Sequence, residues 1–203
     1  MKIYNLTFLS IVLLVFLFSC NSYDIKNEHP TLSSIDGETY AALVNNGSIT
    51  DTMKTSPLRI SALDLGEAHV SFEYGSPGIR GRKIWGSLVP YGKVWVTGAH
   101  QTKFNVDGAI TIAGSNIESG NYSFFTIPGE KEWTVIVNKN PDQHLADNYD
   151  SKDDLFRFKA IPTWDSNSVD RLTYTLKKLS RNKAEVIIAW GKMRLSFLLI
   201  PQR

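Results

Sequence analysis

From Ser56 onward, apolar and polar residues alternate in short runs. In "EAHVSFEY", Val70, Phe72 and Tyr74 share one face, and His69, Ser71 and Glu73 share the other. Successive strand side chains point to opposite faces, so this period predicts a strand with one buried side. The same period sets Phe156, Phe158 and Ala160 of "DLFRFKA" against Leu155, Arg157 and Lys159, and groups Leu172, Tyr174 and Leu176 in "RLTYTLKKL". "TKFNV" and "AITIA" flank Asp107-Gly108, and "NYSFFTI" and "EWTVIVN" flank "PGEK". Each pair predicts a hairpin. "AEVIIAW" and "MRLSFLLI" predict two closing strands that meet at Gly191. No helical period longer than about two turns interrupts the series. The pattern predicts an all-β domain over residues 56–203, a single antiparallel β-sandwich with a barrel-like closure as the alternative.

The chain before Ser56 reads differently. An apolar run, Leu6 to Phe18, follows Lys2. It is shorter than the roughly 20 residues a membrane-spanning helix needs, and it fits the core of a secretory signal over residues 1–19. The run ends in "LFSC", which resembles the lipobox of bacterial lipoproteins, with Leu17 and Ser19 in the expected places. The resemblance implies that Cys20 is lipidated and begins the mature chain. The protein is then exported and anchored to an envelope membrane, on its periplasmic or cell-surface face. Cys20 is the sole cysteine, so no disulfide forms within the chain. Residues 20–55 are polar and read as a flexible tether, with at most a short helix around Thr39 to Val44.

Charge adds one feature. The formal net charge is +2, and loss of Lys2 with the signal leaves +1, which gives no overall bias toward nucleic acid. Yet between Glu73 and Asp107 the only charges are Arg80, Arg82, Lys83, Lys93 and Lys103. That segment also holds Trp85, Tyr91 and Trp95 and is punctuated by glycine, so it predicts a long connection rather than a strand. Two readings of it stand side by side. In one, Arg80, Arg82 and Lys83 form an anion subsite beside the aromatic faces, suited to an anionic or glycan ligand. In the other, the aromatics are core and the arginines pair with the acidic run from Pro141 to Asp154, which carries Asp142, Asp147, Asp150, Asp153 and Asp154.

"EYGSPGIRGRKIWGSLVPYGKVWVTGAH", "SGNYSFFTIPGEKEWTVIVNKN" and "YDSKDDLFRFKA" are similar in order and spacing to the bacterial domain of unknown function numbered twenty-nine-eleven. The resemblance runs from about Ser56 to the end of the chain. It implies an exported, often lipid-anchored, β-rich domain and no particular activity. Two positions depart from the family pattern: Val96 stands where the family has arginine, and His100 where it has asparagine. If those positions carry a family function, this member has lost or altered it, and His100 joins the candidate ligand-binding residues.

Catalytic motifs are missing from the sequence. There is no G-x-S-x-G elbow, phosphate loop, dinucleotide fingerprint or H-E-x-x-H. The four histidines, at 29, 69, 100 and 144, lie far apart, so no local spacing enforces a metal site, and no cofactor is implied. The sequence therefore reads as a membrane-anchored envelope lipoprotein acting as a binding or structural module, with an envelope protein as a further candidate partner. The alternative is an enzyme acting on an envelope or dietary glycan.

Overall fold

A computed structural model of the chain describes residues 35–202. Cys20 and the signal sequence lie outside the described residues. One helix, α1 (Gly37–Asn45), precedes ten strands: β1 (Leu58–Leu65), β2 (Ala68–Gly75), β3 (Thr102–Asp107), β4 (Ile110–Ile112), β5 (Ser115–Ile117), β6 (Gly120–Ile127), β7 (Trp133–Asn138), β8 (Asp154–Ala160), β9 (Thr163–Ser180) and β10 (Lys183–Pro201). They form two antiparallel sheets, one in the order β1-β2-β3-β6-β7-β8 and one in the order β5-β4-β10-β9. The fold is the expected all-β sandwich, with no closed barrel. Alternation does what its period requires: Val70, Phe72 and Tyr74 of β2 are fully buried, while His69 faces out. Phe72 stacks on Phe104 at 4.6 Å and meets Tyr174 of the opposite sheet at 5.3 Å, so aromatic rings bridge the two layers.

Two expectations are corrected. β3 and β4 do not form a hairpin across Asp107-Gly108. Strand β3 already has β2 and β6 on its two edges, so the chain turns the corner and β4 pairs with β10 in the other sheet. The two closing strands are one: β10 runs 19 residues through Gly191. Its pairing with β9 shifts on both sides of Gly191, which sits at φ +60°. A bulge with a left-handed glycine bends a strand without ending it. A Cβ at Gly191 would stand 3.3 Å from Ile84 Cδ1, so the missing side chain also lets the β2–β3 loop pack on β10.

The tether expected over residues 20–55 is not free in its described part. Asp36 caps α1 by accepting from Glu38 N and Thr39 N, both at 2.9 Å. Tyr40, Ala41 and Val44 are buried against the domain. Two buried arginines supply the physical reason. Arg59 on β1 makes a two-pronged pair with Glu38, at 2.7 and 2.6 Å, and donates to Thr173 Oγ1 at 2.8 Å. Burial opposes its charge, but the Glu38 fork outweighs that and raises its pKa. Arg171 on β9 is fully buried and donates to Asp51 Oδ1 at 2.7 Å, Met53 O at 2.8 Å, Ser76 O at 2.9 Å and Thr55 O at 3.2 Å, with Tyr40 beneath it at 5.1 Å. Asn45 completes the attachment by pairing with both backbone groups of Arg171 on the edge of β9. Residues 36–55 thus cover the side of the sandwich between β1 and β9. Among the described residues, no helix is long and apolar enough to cross a membrane.

Candidate functional site

The basic glycine-rich segment is the connection from β2 to β3, and both of its ends are pinned. At its start Ile79 N donates to Asp170 O at 2.8 Å, and Pro77 O accepts from Leu172 N at 3.0 Å, so it adds to the outer edge of β9. Near its end Trp95 and Thr126 exchange backbone bonds at 2.8 and 3.0 Å. Its aromatics pack between these anchors. Trp85 lies 4.9 Å from Trp133 of β7 and 5.9 Å from Trp190 of β10, and Trp95 stacks on Trp190 at 5.9 Å. Four of the chain's five tryptophans therefore form one cluster at one end of the sandwich.

Two strained turns shape the loop. Arg80 and Gly81 take φ values of +46° and +70°, and Arg82 N closes the turn on Ile79 O at 3.0 Å. A left-handed conformation is costly for a residue with a Cβ. The Arg82 guanidinium braces this turn by donating to Gly78 O and Ile79 O, and Arg80 Nη1 donates to Lys54 O at 3.0 Å. Thr97, buried and β-branched, also sits at φ +55°, a strong outlier for its type. Its carbonyl accepts from Tyr174 Oη at 2.8 Å. Full burial pushes the Tyr174 pKa well up, so the phenol remains a neutral donor. The turn places Gly98 O 2.9 Å from Trp95 Nε1, which orients that indole.

Between the turns lies a pocket of about 240 Å³. Exposed Lys54, Arg80 and Arg82 line it together with Leu88, Val89, Trp95 and Trp190, and Thr55, Ser56, Pro77, Gly78, Gly98 and Ala99 complete the wall. Among the described residues, no carboxylate pairs with Arg80, Arg82 or Lys54. The side-chain partners of Arg80 and Arg82 are neutral carbonyls, which leaves both charges uncompensated and most of each guanidinium's donors open. Two larger depressions lack this combination. One, of about 600 Å³, mixes Glu67 with Arg181, and the other, of about 460 Å³, mixes Lys159 with Glu185.

The predicted site residues separate accordingly. Arg80, Arg82 and Trp95 come together in the pocket. Trp85 is buried in the tryptophan cluster instead. Lys83 is exposed and Tyr91 packs against Gly86, and neither lines the pocket. His100 lays its ring over Gly75, where a Cβ would stand 2.5 Å from Nε2, and it too is outside the pocket. Val96 is buried with Phe125 and Ile136 in a separate apolar cluster. The two departures from the family pattern thus leave the pocket lining untouched.

The expected pairing of Arg80 or Arg82 with the Pro141 to Asp154 run does not form. That run closes on its own connection. Asp154 accepts from Asn138 Nδ2 at 2.9 Å and Tyr149 Oη at 2.8 Å and pairs with Arg157, while Asp150 faces Lys152. Lys54 and Thr55 were hidden in a stretch that reads as tether, Ser56 at the first position of the expected domain, and Trp190 in a strand that reads as core. The signal for the first three was the apolar spacing of Tyr40, Ala41 and Val44, which marks a docked helix face. Among the described residues, no three His, Cys, Asp or Glu side chains come together as a metal site.

No curated protein and no solved structure matches the chain. Residues 56–199 match the family described as "Protein of unknown function (DUF2911)". They hold the sandwich, the tryptophan cluster and both rim arginines, and the chain belongs to the DUF2911 family.

Proposed function

We propose that this protein is an envelope-anchored binding module that takes a small anionic ligand in the pocket between the β2–β3 loop and the docked N-terminal segment. The observation that carries the reading is the set of three uncompensated cations, Lys54, Arg80 and Arg82, beside half-buried Trp95. Positive charge that the fold does not neutralise is a standing attraction for an anion, and guanidinium forks suit carboxylate or phosphate oxygens. The pocket lining contains no carboxylate, imidazole or thiol, which favours binding over acid–base or nucleophilic catalysis. Export and anchoring rest on "LFSC", with Cys20 as the lipid-bearing residue.

The test is thermal unfolding of the full chain in detergent micelles at low salt with a panel of small anions: acetate, phosphate, benzoate and glucuronate. A ligand present at 100 times its Kd stabilises by about 2.7 kcal/mol. At least one anion is expected to raise Tm, and the shift is expected to vanish in Arg80→Gln, which removes the charge and leaves a shorter polar side chain. If no anion moves the parent, or Arg80→Gln responds equally, the reading is wrong.

A further inference from the structure

The open hydrogen-bonding capacity of the pocket is mostly donor. Arg80 spends one of its five N–H groups on Lys54 O, and Arg82 spends two, on Ile79 O and Gly78 O. Counting the Lys54 ammonium, about ten N–H groups of these three side chains have no partner among the described residues. The acceptors of the lining are already in use. The carbonyls of Lys54, Thr55, Pro77, Gly78, Val89 and Gly98 each take a hydrogen bond from the protein itself. Each keeps a second lone pair, so a ligand hydroxyl is tolerated, but the lining holds no carboxylate, carboxamide or imidazole.

Charge narrows the class further. Lys54, Arg80 and Arg82 border one cavity of about 240 Å³, no acid lines it, and Arg80 Nη1 is tied to the Lys54 backbone at 3.0 Å. A monocarboxylate would neutralise one of the three cations. A phosphate monoester carries nearly two negative charges above its second pKa of about 6, and its three terminal oxygens only accept. Guanidinium forks and an ammonium can share those oxygens. Size leaves room for a small substituent. A cavity of about 150 Å³ holds benzene. A phosphoryl group is no larger, so part of the pocket stays free for a few more atoms.

We infer that the ligand is a phosphate monoester of a small polar alcohol, bound as its dianion. This rests on the pocket being the anion site proposed above. In the bound state the phosphoryl oxygens accept from Lys54, Arg80 and Arg82, and the alcohol portion meets the Thr55 and Ser56 hydroxyls.

Four probes separate the elements of the claim: glycerol phosphate, dimethyl phosphate, inorganic phosphate and glycerate. Each is titrated into the full chain in micelles at low salt and about pH 8, where a monoester is a dianion and a diester is not, and followed by tryptophan fluorescence. Glycerol phosphate is expected to bind at least about tenfold more tightly than dimethyl phosphate or glycerate, from the additional charged hydrogen bonds, and more tightly than inorganic phosphate. Its affinity is also expected to fall more steeply with salt. Lys54→Gln lies on a separate backbone segment from Arg80 and is expected to weaken glycerol phosphate roughly tenfold and dimethyl phosphate by less. A variant that merely disrupted the pocket would weaken both alike. If dimethyl phosphate or glycerate binds as tightly as glycerol phosphate, the dianion is wrong while the anion pocket survives. If inorganic phosphate binds as tightly, the free ion and not a monoester is the ligand. If Lys54→Gln weakens both esters equally, charge does not select between them and the inference falls. If none of the four binds, the anion pocket fails as well.

Discussion

Arg171→Ala is the sharpest perturbation of the fold around the pocket. Its guanidinium is fully buried and is shared among Asp51 Oδ1 and the carbonyls of Met53, Thr55 and Ser76. Asp51 itself is nearly buried, and its Oδ2 occupies the space that a Cβ on Gly78 would fill, so the glycine is what lets the carboxylate sit there. Removing the arginine leaves a buried carboxylate without its cation and three carbonyls short of a donor. Breaking a buried ion pair on one side costs about 3–5 kcal/mol. For a chain of this size each kcal/mol lowers Tm by about 2–4 °C, so the expected fall is roughly 6–20 °C. Because Thr55 lines the pocket and Arg171 holds its carbonyl, ligand binding is expected to weaken as well. Thermal unfolding by circular dichroism measures the first effect. A double-mutant cycle with Asp51→Ala isolates the pair, with an expected coupling of about 1–3 kcal/mol. A Tm within about 2 °C of the parent, or no coupling to Asp51, would show that residues 36–55 do not depend on this clamp.

Other outcomes follow from the same structure. Trp85→Ala empties the centre of the tryptophan cluster and is expected to cost about 3–5 kcal/mol, whereas Trp164→Ala, at an exposed position, is expected to change urea stability by less than about 0.5 kcal/mol. Burial and the hydrogen bond to Asp154 raise the Tyr149 pKa to about 12. A raised tyrosine pKa contributes stability that is complete below the unfolded value of about 10 and is lost as pH rises through the folded one, so Tm is expected to drop between about pH 10 and 12. The drop should be shallower in Tyr149→Phe, and equal slopes would remove Tyr149 from the account. Cys20→Ala is expected to release the protein from membranes into the aqueous phase of a detergent partition, and retention in the detergent phase would contradict lipidation there.

The sandwich was legible because burial on one side forces a two-residue period, which β2 displays over Ala68–Tyr74 and β8 from Phe156 onward. Partners are not encoded in that period. Asp107-Gly108 reads as the same turn signal whether β4 folds back on β3 or crosses to β10, and the occupied edges of β3 decide between them. Gly191 reads as a break because a glycine stops many strands, yet here it bends one strand to admit Ile84. The docked segment escaped notice for a related reason. Alternation places Arg171 on the outward face of β9, and that it is covered there depends on residues some 120 positions away, as its bond to Asp51 records. For the pocket, glycine, arginine and tryptophan gathered in one loop singled out three of its lining residues, Arg80, Arg82 and Trp95. Charge segregation misled, because the acidic run satisfies itself through Asn138, Tyr149 and Arg157 within its own connection.

The most direct measurement of the central claim uses the five indole N–H resonances as local reporters. In ¹H–¹⁵N spectra of the full chain in micelles, benzoate is titrated into one sample and glucuronate into another. Trp95 and Trp190 line the pocket, and exposed Trp164 lies outside it. The account expects at least one anion to move the Trp95 and Trp190 resonances in a saturable way, with Trp164 still and with the response lost in Arg80→Gln. If Trp95 and Trp190 stay fixed with both anions, or if Trp164 moves as far as they do, the pocket is not an anion site.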